Sequence, residues 1–169
     1  EGLFLTGEDC IKTMGLQTYQ AVKYWHNKIP VKKRSVEELT EALNAKMMEL
    51  IRDKGEIKPA VKNVIEMIYN QKIPMAIAVI SSGDFGKHGK PDPEIFLLAA
   101  AELRADPMFC IAIEDSFNGM ISAKAARMKL IAYLDDGRIN DTKYDFADLK
   151  LESFHNFNQS DLEHLQKSM

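Results

Sequence analysis

The sequence predicts an α/β protein in which a parallel sheet follows a block of helices. Residues 1 to 56 show apolar positions at helical spacing, separated by residues that cap and end helices. Residues 109 to 134 then read as an apolar strand (109–113), a helix with small residues (117–127) and a second apolar strand (130–134). A strand–helix–strand unit implies parallel strands joined by a right-handed crossover.

The composition is that of a globular protein and excludes several other classes. With 169 residues, 46% of them apolar, the chain can bury a sizeable core in one or two small domains. The net charge of −3 shows no excess of positive charge of the kind that binds nucleic acid. No apolar run approaches the length of a membrane span. Cys10 and Cys110 lie far apart without metal-ligand spacing, so we expect buried, reduced thiols in a cytoplasmic protein.

Helices account for the predicted structure before residue 57. Thr6 begins a capping box for a short helix that ends near Met14. A second helix is predicted over 18–27. Ser35 begins another capping box, and its helix runs to Lys54, where Gly55 is a suitable terminator. This long helix has an apolar face made of Leu39, Leu43, Met47, Leu50 and Ile51.

The remaining elements follow from the same patterns. Apolar residues at helical spacing predict helices over 59–70 and 94–103. Apolar runs of strand length predict strands over 75–80 and 146–151. Ser160 is expected to cap a closing helix that ends near Lys167.

The candidate functional residues are a lysine on a loop and two carboxylates after a strand. Lys90 precedes Pro91 and Pro93, which forbid regular structure around it, and Pro93 suits the start of a helix. Glu114 and Asp115 follow the first apolar strand. Because ligands of open α/β sheets lie beyond the carboxyl ends of the strands, we expect these side chains at one rim. Carboxylate oxygens favour Mg²⁺, and an ammonium binds a phosphate oxygen, so the set suits phosphoryl transfer.

Two motifs carry a family resemblance. They are Gly89-Lys90-Pro91-x-Pro93-Glu94-Ile95-Phe96 and Glu114-Asp115-Ser116-x-Asn118-Gly119. Both resemble motifs of the haloacid dehalogenase superfamily, in its β-phosphoglucomutase and 2-deoxyglucose-6-phosphate phosphatase branch. The resemblance implies a Rossmann-like parallel sheet core over residues 57–169 and a small helical cap domain over residues 1–56.

The resemblance also implies an activity and a role for each site residue. Lys90 would be the catalytic lysine and would bind phosphate; Asp115 would ligate Mg²⁺ directly, and Glu114 would ligate it or orient a bound water. The implied activity is that of a Mg²⁺-dependent phosphatase of a small sugar phosphate, acting through an aspartyl-phosphate intermediate. Phosphoryl transfer of the β-phosphoglucomutase type and non-catalytic binding of phosphorylated ligands are the alternatives. Gln17 stands where relatives often have a phosphate-contacting arginine, which argues slightly against the mutase.

Two parts of the family pattern are missing from the sequence. It has no Asp-x-Asp-Gly nucleophile motif, which we expect the intact protein to carry, and the Asp-Asp-Gly at 135–137 is more simply a turn on the rim. The phosphate-binding Ser/Thr segment has two interpretations. Ser81 supplies the hydroxyl, or residues 79–84 belong to a later strand and loop and the segment is missing before Val79. The match of Ser82-Gly83-Asp84 to the loop before the lysine motif favours the second.

Overall fold

The computed structural model describes residues 4–28, 33–78, 89–135 and 137–168. The chain divides into two compact units, Glu1–Ile57 and Lys58–Met169. This division lies one residue beyond the boundary expected from the sequence. No helix in the described part of the chain is long and apolar enough to cross a membrane.

Over residues 4–28 and 33–57, the first unit contains three helices, α1 (Gly7–Ile11), α2 (Thr18–His26) and α3 (Val36–Lys54). Both predicted capping boxes are confirmed: Thr6 pairs reciprocally with Asp9, and Ser35 with Glu38. These side chains accept hydrogen bonds from N–H groups that have no partner within the helix. On the apolar face of α3, the side chains of Leu43, Met47, Leu50 and Ile51 remain exposed.

The described residues of the second unit contain a three-stranded parallel sheet with the order β1-β2-β3. This confirms the predicted α/β class. The strands are β1 (Ile111–Glu114), β2 (Lys129–Tyr133) and β3 (Leu149–Leu151). The helices of this unit are α4 (Val61–Asn70), α5 (Glu94–Glu102), α6 (Phe117–Ala125) and α7 (Gln159–Lys167).

The core of the second unit lies on the two faces of β2. Successive side chains of a strand point to opposite faces, so Leu130 and Ala132 join one apolar cluster while Ile131 and Tyr133 join the other. The first cluster includes residues of α5 and α6, and the second includes residues of α4 and α7. β2 is therefore buried on both faces, as is usual for the middle strand of a parallel sheet. This packing fixes the carboxyl ends of β1 and β2 at one edge.

Several local predictions are corrected by the structure. Residues 75–78 form no strand because no described segment pairs with them; residues 79 and 80 lie outside the described residues. The last strand is confined to Leu149–Leu151, since residues 146–148 make a turn. Asn158, not Ser160, caps α7, because its side chain accepts from the Ser160 N–H.

The expectation for the cysteines is corrected in part. Both thiols are unpaired, but Cys10 is exposed rather than buried. Cys110 is partly buried, and this burial raises the pKa of its thiol. Cys10 lies on α1, and no residue of this helix is buried. The expectation of a buried thiol was therefore wrong for Cys10, because its helix packs no side chain into a core.

Candidate active site

The candidate site lies at the carboxyl ends of β1 and β2. Glu114 is the last residue of β1, and it stands opposite Ala132 in the parallel register. Asp115 follows Glu114, and Asp135 lies two residues beyond the end of β2. The sheet thus brings three carboxylates to one rim, the place where open α/β sheets bind ligands.

Lys90 and Glu114 form an ion pair at this rim. The Lys90 ammonium donates to Glu114 Oε1, and the two side chains are only 22% and 8% exposed. The ammonium also lies 5.6 Å from the centroid of the Phe96 ring, on the helix that follows the lysine loop. Because a buried charge is stable only when it is paired, each side chain fixes the other. The structure therefore joins two of the residues singled out from the sequence.

The second oxygen of Glu114 is held by the start of α6. Oε2 accepts from the Ser116 N–H at 3.3 Å and from the Ser116 hydroxyl at 3.0 Å. Ser116 Oγ in turn accepts from the Gly119 N–H at 3.2 Å and so caps α6. A β-carbon on Gly119 would lie 2.2 Å from Glu114 Cδ, so this position has no room for a side chain.

The lysine loop is attached to α6 by a residue that the sequence did not reveal. The hydroxyl of Ser122 donates to the carbonyl of Asp92 at 2.6 Å, and Ser122 is fully buried. The Asp92 side chain accepts from the Glu94 N–H at 3.0 Å at the start of α5. A buried serine in a helix matches no motif, and only its polarity among apolar neighbours marks it as a residue with a partner.

Asp115 has the carboxylate best suited to a metal ion. Its side chain is exposed and makes no hydrogen bond or ion pair with any described residue. Its main-chain carbonyl accepts from Arg138 Nη2 at 3.5 Å. An unpaired carboxylate beside a second, buried one fits Mg²⁺, which takes oxygen ligands, keeps several waters and needs few groups from the protein. Within the described ranges, no group of three or more His, Cys, Asp or Glu side chains forms a larger metal cluster.

Lys58 and Asp135 form a second ion pair on the same rim, which no motif in the sequence predicts. The Lys58 ammonium donates to Asp135 Oδ2 and lies 4.8 Å from the centroid of the Tyr133 ring. The hydrogen bond to Asp135 raises the pKa of Lys58, and the charge of Asp115 adds to this effect. Both side chains are more than a third exposed, so solvent screens the pair and it contributes little to stability. Asp135 therefore does more than make a turn.

The other residues named from the sequence do not lie in the described part of this site. Ser81 and the Ser82-Gly83-Asp84 loop lie outside the described residues, as does Asp136. Gln17 is the N-cap residue of α2, in the first unit, and its side chain makes no capping hydrogen bond. The structure thus leaves the two interpretations of Ser81 open.

Comparison with known proteins identifies similar chains. Residues 30–127 match the family model of the haloacid dehalogenase-like hydrolases. Hexitol phosphatase B of Escherichia coli (strain K12) is 28% identical in an alignment that covers 89% of this chain and 78% of that protein.

Two solved structures have a similar fold. CbbY from Rhodobacter sphaeroides, solved in complex with phosphate, has a TM-score of 0.84 at 21% identity and covers 96% of this chain and 85% of its own. A β-phosphoglucomutase from Clostridium difficile has a TM-score of 0.80 at 19% identity and covers 99% of this chain and 84% of its own. These likenesses confirm the predicted Rossmann-like α/β fold.

Proposed function

The chain belongs to the haloacid dehalogenase-like hydrolases, as its motifs predict, and we propose that it is a Mg²⁺-dependent phosphatase of a small sugar phosphate. The observation that carries the proposal is the Lys90–Glu114 ion pair beside the exposed carboxylate of Asp115. The similarity to a hexitol phosphatase supports the choice of substrate class. A cytoplasmic location is inferred from the two unpaired thiols.

In the proposed reaction, Lys90 binds the phosphoryl group that is transferred. Its ammonium neutralises charge on a phosphoryl oxygen, and Glu114 keeps the ammonium in place. Asp115 would hold Mg²⁺ directly, and Glu114 is the second candidate ligand, directly or through a water. When bound, Mg²⁺ supplies further positive charge to the phosphoryl oxygens. The reaction through an aspartyl-phosphate requires a nucleophilic carboxylate from an Asp-x-Asp-Gly motif, which the printed sequence does not contain.

Two further parts of the proposal come from the family pattern. Residues 1–56 would act as the cap domain and residues 57–169 as the catalytic core. Ser81 would supply a phosphate-binding hydroxyl if it ends the strand that the family uses for this purpose. Neither assignment is needed for the test of the Lys90 site.

The test uses full-length protein that contains the Asp-x-Asp-Gly motif, and it measures phosphate release from a panel of hexitol and hexose phosphates, with Mg²⁺ and with a chelator. We expect release only with Mg²⁺. Lys90→Met should lower kcat by about 10²–10³-fold, because it removes a charge that stabilises the transition state. Lys150→Met is the matched control. Lys150 lies on β3 and is also paired with a carboxylate, that of Asp145, at 2.7 Å. Lys90→Arg keeps a positive charge beside Glu114, so a loss of kcat in this folded variant would report on geometry rather than on stability.

The outcomes separate the competing functions. Release without Mg²⁺, or equal kcat for Lys90→Met and Lys150→Met, would contradict the proposed site. Conversion of β-glucose 1-phosphate into glucose 6-phosphate, without net phosphate release, would identify a mutase. Binding of hexitol phosphate without any turnover would identify a non-catalytic relative.

A further inference from the structure

The peptide bond between Asp115 and Ser116 is held at both of its polar ends. Its N–H, on Ser116, donates to Glu114 Oε2 at 3.3 Å. Its carbonyl, on Asp115, accepts from Arg138 Nη2 at 3.5 Å. Because the peptide unit is planar, these two contacts restrict its rotation about the Cα of Asp115. They therefore restrict the direction in which the Asp115 side chain leaves the loop.

Arg138 is itself held by the core of the second unit. Its Nη1 donates to the hydroxyl of Tyr144, and its guanidinium carbon lies 5.2 Å from the centroid of that ring. Tyr144 is fully buried, and its ring meets Phe117, the first residue of α6, edge-on at 5.9 Å. Gly137, with φ of 82°, turns the chain into Arg138 after β2. The guanidinium thus connects residues 115 and 116, the Asp115 loop, to the buried core of the second unit.

We propose that Arg138 is a positioning residue that holds the Asp115 loop in the geometry required to bind Mg²⁺. The identity of the ion rests on the proposed function. The Asp115 carboxylate makes no hydrogen bond with the described residues, so its direction depends on its main chain. A planar guanidinium with several fixed donors can contact Tyr144 and the Asp115 carbonyl at once, whereas an ammonium cannot reproduce this fork.

Positioning and charge predict opposite effects on Mg²⁺ affinity. A guanidinium near the ion repels it, so the loss of charge alone would tighten Mg²⁺ binding. The loss of positioning would weaken binding, by about tenfold for a group that orients a ligand. We therefore expect Arg138→Gln to bind Mg²⁺ about tenfold more weakly, although a repelling charge has been removed. Arg138→Lys keeps the charge but loses the fork, and it should also bind Mg²⁺ more weakly.

Titration calorimetry of the metal-free full chain with MgCl₂ measures these affinities. Arg104→Gln is the matched control, because Arg104 is an exposed arginine of the same unit that takes no part in the site. It should bind Mg²⁺ like the wild type. Unchanged or tighter binding by Arg138→Gln, or wild-type binding by Arg138→Lys, would overturn the proposal.

Amide hydrogen exchange of the metal-free protein gives a second readout that does not depend on the ion. Residues 115–117 should exchange faster in Arg138→Gln than in Arg104→Gln, and Tyr144→Phe should shift the exchange in the same direction by less. Equal exchange in the two arginine variants would overturn the bracing role, even if Mg²⁺ binding changed. A wild-type chain that binds no Mg²⁺ would instead contradict the proposed function. Faster exchange in Arg138→Gln would still support the positioning role of Arg138.

Discussion

Gly119 lies against the Glu114 carboxylate and leaves no space for a side chain. A β-carbon there would lie 2.2 Å from Oε2, the oxygen that accepts from Ser116. We expect Gly119→Ala to displace the carboxylate and disturb its pair with Lys90. The variant should lose about 1–3 kcal/mol of unfolding free energy and most of its phosphatase activity. Urea denaturation and phosphate release measure the two effects.

Gly7→Ala is the control for Gly119→Ala. It is the first residue of α1, and a β-carbon there would meet nothing within 4 Å. Because alanine is also the better helix former, Gly7→Ala should keep its stability and activity. If Gly119→Ala were as stable and as active as Gly7→Ala, the tight contact with Glu114 would have no functional consequence.

Asp148, which directly precedes β3, connects α6 and β2 at the amino ends of the strands, away from the site. It accepts from Lys124 on α6 at 2.8 Å, and from the side chain of Lys129 at 3.2 Å and the N–H of Leu130 at 2.7 Å on β2. We expect Asp148→Asn to lose about 1.5–3 kcal/mol of unfolding free energy at pH 7, because hydrogen bonds to a charged group are lost. Asp145→Asn, which removes the more exposed partner of Lys150, should lose much less.

The same carboxylate gives a pH dependence with a defined sign. Burial acts to raise the pKa of Asp148, but the hydrogen bonds from Lys124, Leu130 and Lys129 together hold it below its ordinary value of 3.8. The stability that Asp148 contributes is therefore present above pH 3.8 and is lost as the pH falls through the lower, folded pKa. Urea denaturation at pH 7 and in the acid range should show the gap between wild type and Asp148→Asn closing. A gap that persisted at low pH would show that the charge is not what matters.

The two units of the whole molecule differ in how much apolar surface they bury. Among the described residues, every buried hydrophobic side chain belongs to the second unit, and α3 has no buried residue. Because local unfolding is easiest where few apolar contacts hold a segment, we expect the amides of α3 to exchange faster than those of α6, which has four buried residues. Hydrogen exchange measured by mass spectrometry compares both helices in one sample. Equal protection of α3 and α6 would contradict this order of stability.

Much of the local structure could be predicted because its signals are local. The capping boxes at Thr6 and Ser35 need only residues three positions apart, and they form as predicted. The strand–helix–strand unit also appears, with bounds that differ by one or two residues. The predicted strand at 75–80 was wrong over its described part, since an apolar run becomes a strand only beside a partner. The Ser160 cap was wrong because Asn158, two residues earlier, accepts from its N–H.

The sequence by itself determined the α/β class, the family and the presence of a lysine and two carboxylates at a strand end. Their spacing along the chain was sufficient for that. Only the tertiary structure decided that Lys90 pairs with Glu114, that Lys58 pairs with Asp135, and that Arg138 reaches the Asp115 carbonyl. These partners are 24, 77 and 23 residues apart. Contacts of this range depend on which strand lies beside which and on how the core fills the space between them, and neither is written in any local pattern.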